Sequence, residues 1–286
     1  MKKHPDTHRL PSLLAFLVLT FGATWTIEAT LIANGMRFDT LDSLSGPALW
    51  LMGIMWIPGL AALLVTGIER KSFSALRETL RLRIGTSLGA YFLTIILVPL
   101  LFAGMYLLTW ALGYGDFTPP LSQNADGVTM DSLLHVILPM SIVVGPFLNL
   151  FFGLGEEIGW RGFLLPRLMP LGKRYAYPLL GLLWGLWHAP LILAGFNYPG
   201  YPVAGILMMC LLCFAFGLFL NEMTLHYESS LLAGFIHGAV NAQGYGIWIL
   251  LVPAAHPLLG GSVGLTGVIV WLVAGLICTR VLKCLN

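Results

Sequence analysis

The sequence predicts an all-α integral membrane protein of about eight transmembrane helices. Of its 286 residues, 57% are hydrophobic and only 10% are charged, whereas an average soluble domain carries about 25% charged residues. Eight apolar stretches are long enough to cross the bilayer, since about 20 helical residues span about 30 Å of hydrocarbon. Lysine and arginine also gather on one side of these stretches, as they do in multi-pass membrane proteins.

The eight predicted spans are separated by proline and glycine, for example at Gly46-Pro47 and Pro119-Pro120. No soluble domain is visible between them, so we interpret residues 1–286 as a single membrane domain. The spans cover approximately residues 11–34, 47–68, 86–112, 132–155, 174–194, 203–224, 230–251 and 262–282.

The basic residues predict the orientation, because cytoplasmic loops keep an excess of lysine and arginine. With eight spans, all but Arg37 of the flanking basic residues fall on one side, beginning with Lys2 and Lys3 before the first span. Both termini are therefore predicted to be cytoplasmic. The compact size without a targeting extension favours a bacterial inner membrane.

Residues 69–84 alternate basic side chains with Phe73, Leu76, Leu80 and Leu82. This spacing predicts a short amphipathic helix that lies on the membrane surface as a lipid anchor. Recognition of a substrate tail is the alternative. The net charge of +2 is too small to indicate a nucleic-acid partner.

Three ionisable residues follow the fourth span directly: Glu156, Glu157 and Arg161. Each costs about 2.5 to 3.5 kcal/mol to place in a bilayer, which indicates a specific role. Glu157 and Arg161 are four residues apart and share a helix face, so they can pair. Glu156 projects about 100° away, is less well compensated, and is suited to exchanging protons. A purely structural ion-pair network at the interface is the alternative.

Two later spans carry histidines. Trp184 lies one turn before His188, and His237 and Asn241 share a face of the seventh span. Gly234 and Gly238 form a small-xxx-small groove that permits close helix approach. Either histidine alone is typical of a hydrogen-bonded packing residue, but together with the acidic cluster they predict a reactive site.

Three short patterns follow one another along these spans. They are Glu156-Glu157-x-x-x-Arg161, an aromatic residue four positions before His188, and His237-x-x-x-Asn241. Together they resemble the motifs of the CAAX protease and bacteriocin-processing family, the intramembrane glutamic endopeptidases that include the Rce1-type prenyl proteases. The resemblance covers about residues 130–250, and Trp184 stands where phenylalanine is usual.

The resemblance implies a polar cavity open to the cytoplasmic side, no metal or other cofactor, and a hydrophobic or lipidated peptide or protein substrate in the lipid bilayer. By position, Glu156 would activate a water and His188 would help to hold it. His237 and Asn241 would stabilise the oxyanion, a role commonly worth about 3 kcal/mol per donor. Glu157, tied to the arginine, would be the supporting carboxylate.

Two alternatives stay open. A zinc-dependent protease would use two histidines and a glutamate as ligands, but H-E-x-x-H is missing and Asn241 occupies the place of a ligand. A non-enzymatic transporter or bacteriocin-immunity-type protein would bind a hydrophobic peptide through the same residues. Activity that survives a chelator argues against zinc, and loss of cleavage in Glu156→Gln argues against the binding protein.

Overall fold

The protein is a bundle of helices. The computed structural model describes residues 9–38, 46–118 and 128–285, and these ranges contain no β-strand. Lys2 and Lys3, as well as the predicted break at Pro119-Pro120, lie outside the described residues.

The described residues before position 119 form five helices. Pro58 lies in the first turn of the third helix, where its missing N–H costs nothing. The helices are α1 (Arg9–Ala33), α2 (Gly46–Ile54), α3 (Ile57–Arg70), α4 (Phe73–Thr79) and α5 (Gly89–Ala111).

The next segment, Met130–Leu171, is helical throughout but changes its winding several times. Thr129 begins it with a capping box, in which its hydroxyl accepts from the Ser132 N–H at 3.1 Å. Gly172, with φ near +80°, ends it. In order, it comprises α6 (Met130–Ser132), π-helical turns at Leu133–Ile137 and Met140–Val144, α7 (Gly145–Glu157), a π-helical segment at Ile158–Leu164, α8 (Leu165–Leu168) and a 3₁₀ turn at Met169–Leu171.

The last part of the bundle contains six helices: α9 (Lys173–Trp187), α10 (Ala189–Leu193), α11 (Pro202–Tyr227), α12 (Ser230–Gly244), α13 (Ile247–Leu251) and α14 (Leu265–Leu285).

Six helical segments of the described residues are long and apolar enough to cross a membrane. The predicted spans 174–194 and 230–251 are each divided into a helix of 15 residues followed by one of 5 residues. The first break lies at His188, two residues before Pro190, which has no N–H to continue the helical ladder. The six segments are Leu10–Ala33, Trp50–Arg70, Gly89–Ala111, Met130–Leu171, Pro202–Tyr227 and Leu265–Cys284.

The predicted surface helix over residues 69–84 is shorter in the structure, because α4 ends at Thr79. Phe73 is 80% exposed, as a lipid-facing residue would be, but Leu80 is fully buried. The carbonyl of Leu80 accepts a hydrogen bond from Ser230 Oγ at 2.7 Å. This tertiary contact takes the chain out of the helix and attaches the loop to the start of α12.

Glycines allow the helices around α7 to approach closely. A Cβ at Gly238 would lie 2.6 Å from the backbone nitrogen of Leu150, and one at Gly153 would lie 2.6 Å from the carbonyl oxygen of Gly234. The groove that Gly234 and Gly238 predict is therefore present and holds α12 against α7. On the other side, a Cβ at Gly59 would lie 2.4 Å from the carbonyl oxygen of Gly155, so α3 packs directly against the glutamate-bearing turn.

Candidate active site

The two glutamates and the arginine lie where α7 passes into the π-helical segment Ile158–Leu164. Glu156 is 3% exposed, and Glu157 and Arg161 are fully buried. Burying charges at this depth is unfavourable unless they are paired and hydrogen-bonded. A change from α to π winding is a feature that often occurs at functional sites.

Glu157 is bound from two directions. Arg161 Nη1 lies 3.0 Å from its Oε2 and donates to its Oε1 at 3.1 Å. His237 Nδ1 lies 2.8 Å from the same Oε1. Arg161 is in turn fixed by Asn221, whose Oδ1 accepts from Nε at 3.2 Å, and its guanidinium carbon lies 4.2 Å from the centroid of the Trp184 ring. The pair that the i, i+4 spacing predicts is thus the centre of a larger network.

Glu156 has different partners. Its Oε2 accepts from the indole N–H of Trp184 at 2.7 Å and from that of Trp160 at 3.3 Å. No described residue donates a hydrogen bond to its Oε1. One oxygen of this carboxylate is therefore held in place while the other is left available.

His237 lies beside both carboxylates. Because an ionised carboxylate can only accept, the ring nitrogen that faces Glu157 carries the proton. The ring is enclosed by Trp184 and Phe216, with centroids 5.6 and 5.9 Å away in edge-to-face arrangements. Nε2 is then the nitrogen that remains for chemistry, as an acceptor in the neutral ring and as a donor in the imidazolium.

His188 lies at the break between α9 and α10, where it is half-buried. Its Nδ1 lies 2.9 Å from the Trp184 carbonyl oxygen, and since a carbonyl only accepts, Nδ1 donates. No described residue hydrogen-bonds to its Nε2. His188 is close enough to His237 to interact with it electrostatically. Asn241 is half-buried one turn beyond His237, and no described residue hydrogen-bonds to its side chain.

The structure joins Glu157 directly to Arg161 and His237. Trp184 contacts Glu156, Arg161 and His188, and Asn241 lies one turn from His237 on α12. The sequence indicates Trp184 only as the aromatic residue four positions before His188, and it does not place Trp160 or Asn221 in the site. For Trp160 the signal was its position one turn after Glu156, on the same face.

The donor set was also considered as a metal site. Within the three described ranges, no group of three or more His, Cys, Asp or Glu side chains is arranged to hold a metal ion. His237 directs Nδ1 towards Glu157 Oε1, which also accepts from Arg161, and Arg161 Nη1 lies 3.0 Å from Oε2, so a cation at Glu157 would meet the charge of the guanidinium.

Fold and site together define a multi-pass membrane protein with a buried cluster of carboxylates and imidazoles. Residues 138–243 match the family described as Rce1-like, type II CAAX prenyl endopeptidase Rce1-like. This match confirms the resemblance of the motifs over residues 138–243 and supports a membrane-embedded endopeptidase of the CAAX-protease type. An endopeptidase of this family lies in the lipid bilayer and takes hydrophobic substrates. A search of curated proteins gave no match.

The matched residues extend from the second π-helical turn region through α7 to α12. They include every predicted site residue, together with Trp160, Trp184 and Asn221. The domain match and the hydrogen-bonded network therefore coincide in the chain.

Proposed function

We propose that the protein is a metal-independent intramembrane glutamic endopeptidase, in which Glu156 activates the water that hydrolyses the peptide bond. The observation that carries this proposal is the division between the two adjacent carboxylates. Glu157 is ion-paired with Arg161 and bonded to His237, whereas Glu156 is held by two neutral indoles and its Oε1 has no hydrogen bond or ion pair with a described residue. Glu156 is therefore the carboxylate placed to take a proton from a third group.

In the proposed reaction, Oε1 of Glu156 takes a proton from a water as the water oxygen attacks the carbonyl carbon. His188 Nε2 accepts a hydrogen bond from the same water and orients it. Collapse of the tetrahedral intermediate breaks the C–N bond, and Glu156 returns the proton to the leaving nitrogen. General acid–base catalysis of this kind contributes about 10²- to 10⁴-fold to the rate.

The negative charge on the oxygen of the tetrahedral intermediate must be stabilised by hydrogen-bond donors. His237 offers Nε2–H when its ring is protonated, and Glu157 at 2.8 Å stabilises that charged ring. Asn241 offers its amide N–H groups from the next turn of α12. Each preorganised donor in a site without bulk water commonly contributes about 3 kcal/mol.

The substrate in this proposal is a hydrophobic, membrane-associated peptide or protein, with a prenylated CAAX protein as one case. We further propose that residues 1–286 form one membrane domain with both termini in the cytoplasm of a bacterial cell, so that the site opens towards that side. Large apolar side chains on α3 and α5 are more than half-exposed, as expected for residues in contact with lipid; they include Leu60, Leu64, Phe92 and Ile96.

The test compares membranes that contain the wild type, Glu156→Gln or Glu222→Gln, using mass spectrometry to identify cleaved peptides. Glu222 is a matched control because it is also a buried glutamate in an ion pair, with Lys173 at 2.7 Å, but it lies outside the network. We expect products with the wild type and Glu222→Gln and none with Glu156→Gln at equal expression. Products that persist in Glu156→Gln would contradict the proposal.

A further inference from the structure

We propose that Trp184 is a positioning residue for Glu156, whose indole N–H holds Oε2 and thereby reserves Oε1 for the proton of the attacking water. This inference rests on the proposed role of Glu156 as the base. Trp184 thereby has a polar function in addition to its ring contacts with His237 and Arg161.

Trp184 makes the shorter of the two hydrogen bonds to Glu156 Oε2. Its Nε1 lies 2.7 Å from Glu156 Oε2, compared with 3.3 Å for Nε1 of Trp160. Both indoles are almost completely buried, at 3% and 0% exposure, so water does not compete for either N–H. Hydrogen bonds to an ionised acceptor are shorter and about twice as strong as neutral ones.

The indole of Trp184 is itself held rigidly. A Cβ at Gly181 would lie 2.6 Å from Phe214 Cα and one at Gly185 would lie 2.5 Å from Cys210 Cα, so α9 is in close contact with α11 on either side of Trp184. The guanidinium of Arg161 lies over its ring, 4.2 Å from the centroid. The N–H direction is therefore fixed by packing before a substrate arrives.

The same geometry serves both protonation states of Glu156. In the ionised state, the indole N–H groups stabilise the charge on Oε2. When a water O–H bond breaks and the Oε1–H bond forms, Oε2 becomes the carbonyl oxygen of the acid and still accepts both hydrogen bonds. A proton on Oε2 would instead face two N–H donors. The donors thus direct the proton to Oε1 without any rearrangement.

Removing the Trp184 donor makes the ionised form of Glu156 less favourable, so the carboxylate takes up a proton at a higher pH. As the pH is lowered, the variant should therefore lose activity at a higher pH than the wild type. The other titratable or charged groups that surround Glu156 stay unchanged in such a variant; they are Glu157, Arg161, Cys213, His237 and Tyr245.

The experiment measures kcat and KM across the pH range for Trp184→Phe, which keeps an aromatic ring but lacks the N–H. The matched control is Trp248→Phe, because Trp248 also donates its indole N–H to a side-chain oxygen, that of Gln243 at 3.0 Å, away from the glutamates. We expect kcat of Trp184→Phe to fall about 10-fold near neutral pH, as for loss of a hydrogen bond to a charged group. KM should change little, and the acidic limb of the plot of kcat against pH should move to higher pH.

A Trp184→Phe profile with the same acidic limb as the wild type would overturn the inference, whether or not its overall rate falls. If Trp184→Phe fails to fold, Trp160→Phe replaces it. A smaller shift in the same direction is then expected, and the absence of any shift would overturn the inference. Glu156→Gln is measured in parallel. If Glu156→Gln stays active, the proposed function fails; if it is inactive and the tryptophan profiles are unshifted, only the role of Trp184 fails.

Discussion

His237 Nδ1 and Glu157 Oε1 are 2.8 Å apart, although 80 positions separate the two residues in the chain. This contact connects α12 to the end of α7 and is possible because Gly234 and Gly238 let the two helices touch. Glu157 is thereby committed to a histidine and an arginine, which distinguishes it from Glu156.

The different partners of the two glutamates predict that their substitution affects stability very unequally. Glu157→Gln removes the charge that compensates fully buried Arg161, and breaking a buried pair from one side costs about 3 to 5 kcal/mol. Glu156→Gln keeps an oxygen for the two indole donors and should change stability by less than about 1 kcal/mol. Thermal unfolding in detergent compares them; equal melting temperatures for both variants would contradict this assignment.

Asn221 is predicted to support the network through Arg161. Asn221→Leu leaves the buried Nε of Arg161 without its acceptor at 3.2 Å, which costs about 1 to 3 kcal/mol. Asn149→Leu is the control, because Asn149 Nδ2 donates only to the Gly145 carbonyl of its own helix at 3.0 Å. Activity and melting temperature should fall for the first variant and much less for the second. A similar fall in both would mean that Asn221 serves packing alone.

The contact between α7 and α12 is predicted to fail when a side chain is added at Gly238. The Cβ of Gly238→Ala would lie 2.6 Å from the Leu150 nitrogen, so the helices must separate, and overpacking of this kind costs about 1 to 3 kcal/mol. Gly244→Ala, in the same helix, meets nothing within 4 Å. We expect reduced activity and stability only for Gly238→Ala, measured by peptide cleavage and thermal unfolding. Full activity of that variant would show that the spacing of the helices is not critical.

Removal of divalent metals is predicted to leave peptide cleavage unchanged. The proposed reaction assigns the activation of water to Glu156 rather than to a metal ion, as in the zinc proteases. Cleavage is measured after prolonged incubation with EDTA and with 1,10-phenanthroline, followed by addition of Zn²⁺. Loss of activity that zinc restores would establish the zinc-dependent mechanism instead.

The fold was largely predictable because hydropathy and helix length are local properties of the chain. The partnership of Glu157 with Arg161 was predictable for the same reason, since i, i+4 spacing determines it. The hydrogen bond of Arg161 to Asn221 on α11 was not predictable, because Asn221 lies 60 positions away in the chain. Only the packing of the helices brings the two side chains together. Similarly, the residue type at position 184 indicates an aromatic side chain but not the direction in which its N–H points.

The early end of α4 has a comparable origin. Leu80 continues the amphipathic pattern of the preceding residues, and the pattern alone favours a longer helix on the membrane surface. The hydrogen bond from Ser230 to the Leu80 carbonyl competes successfully with that preference, and it involves a residue 150 positions later in the chain.

The π-helical segment at Ile158–Leu164 has a consequence for how this protein can diverge in sequence. A π turn takes in one residue more than an α turn, and such turns are single local widenings of an otherwise regular helix. Loss of one residue between Glu157 and Arg161 would restore α winding there and move the arginine from four to three positions after the glutamate, which turns its side chain by about 100° on the helix. Relatives that retain the chemistry should therefore conserve the length of this segment more strictly than its composition.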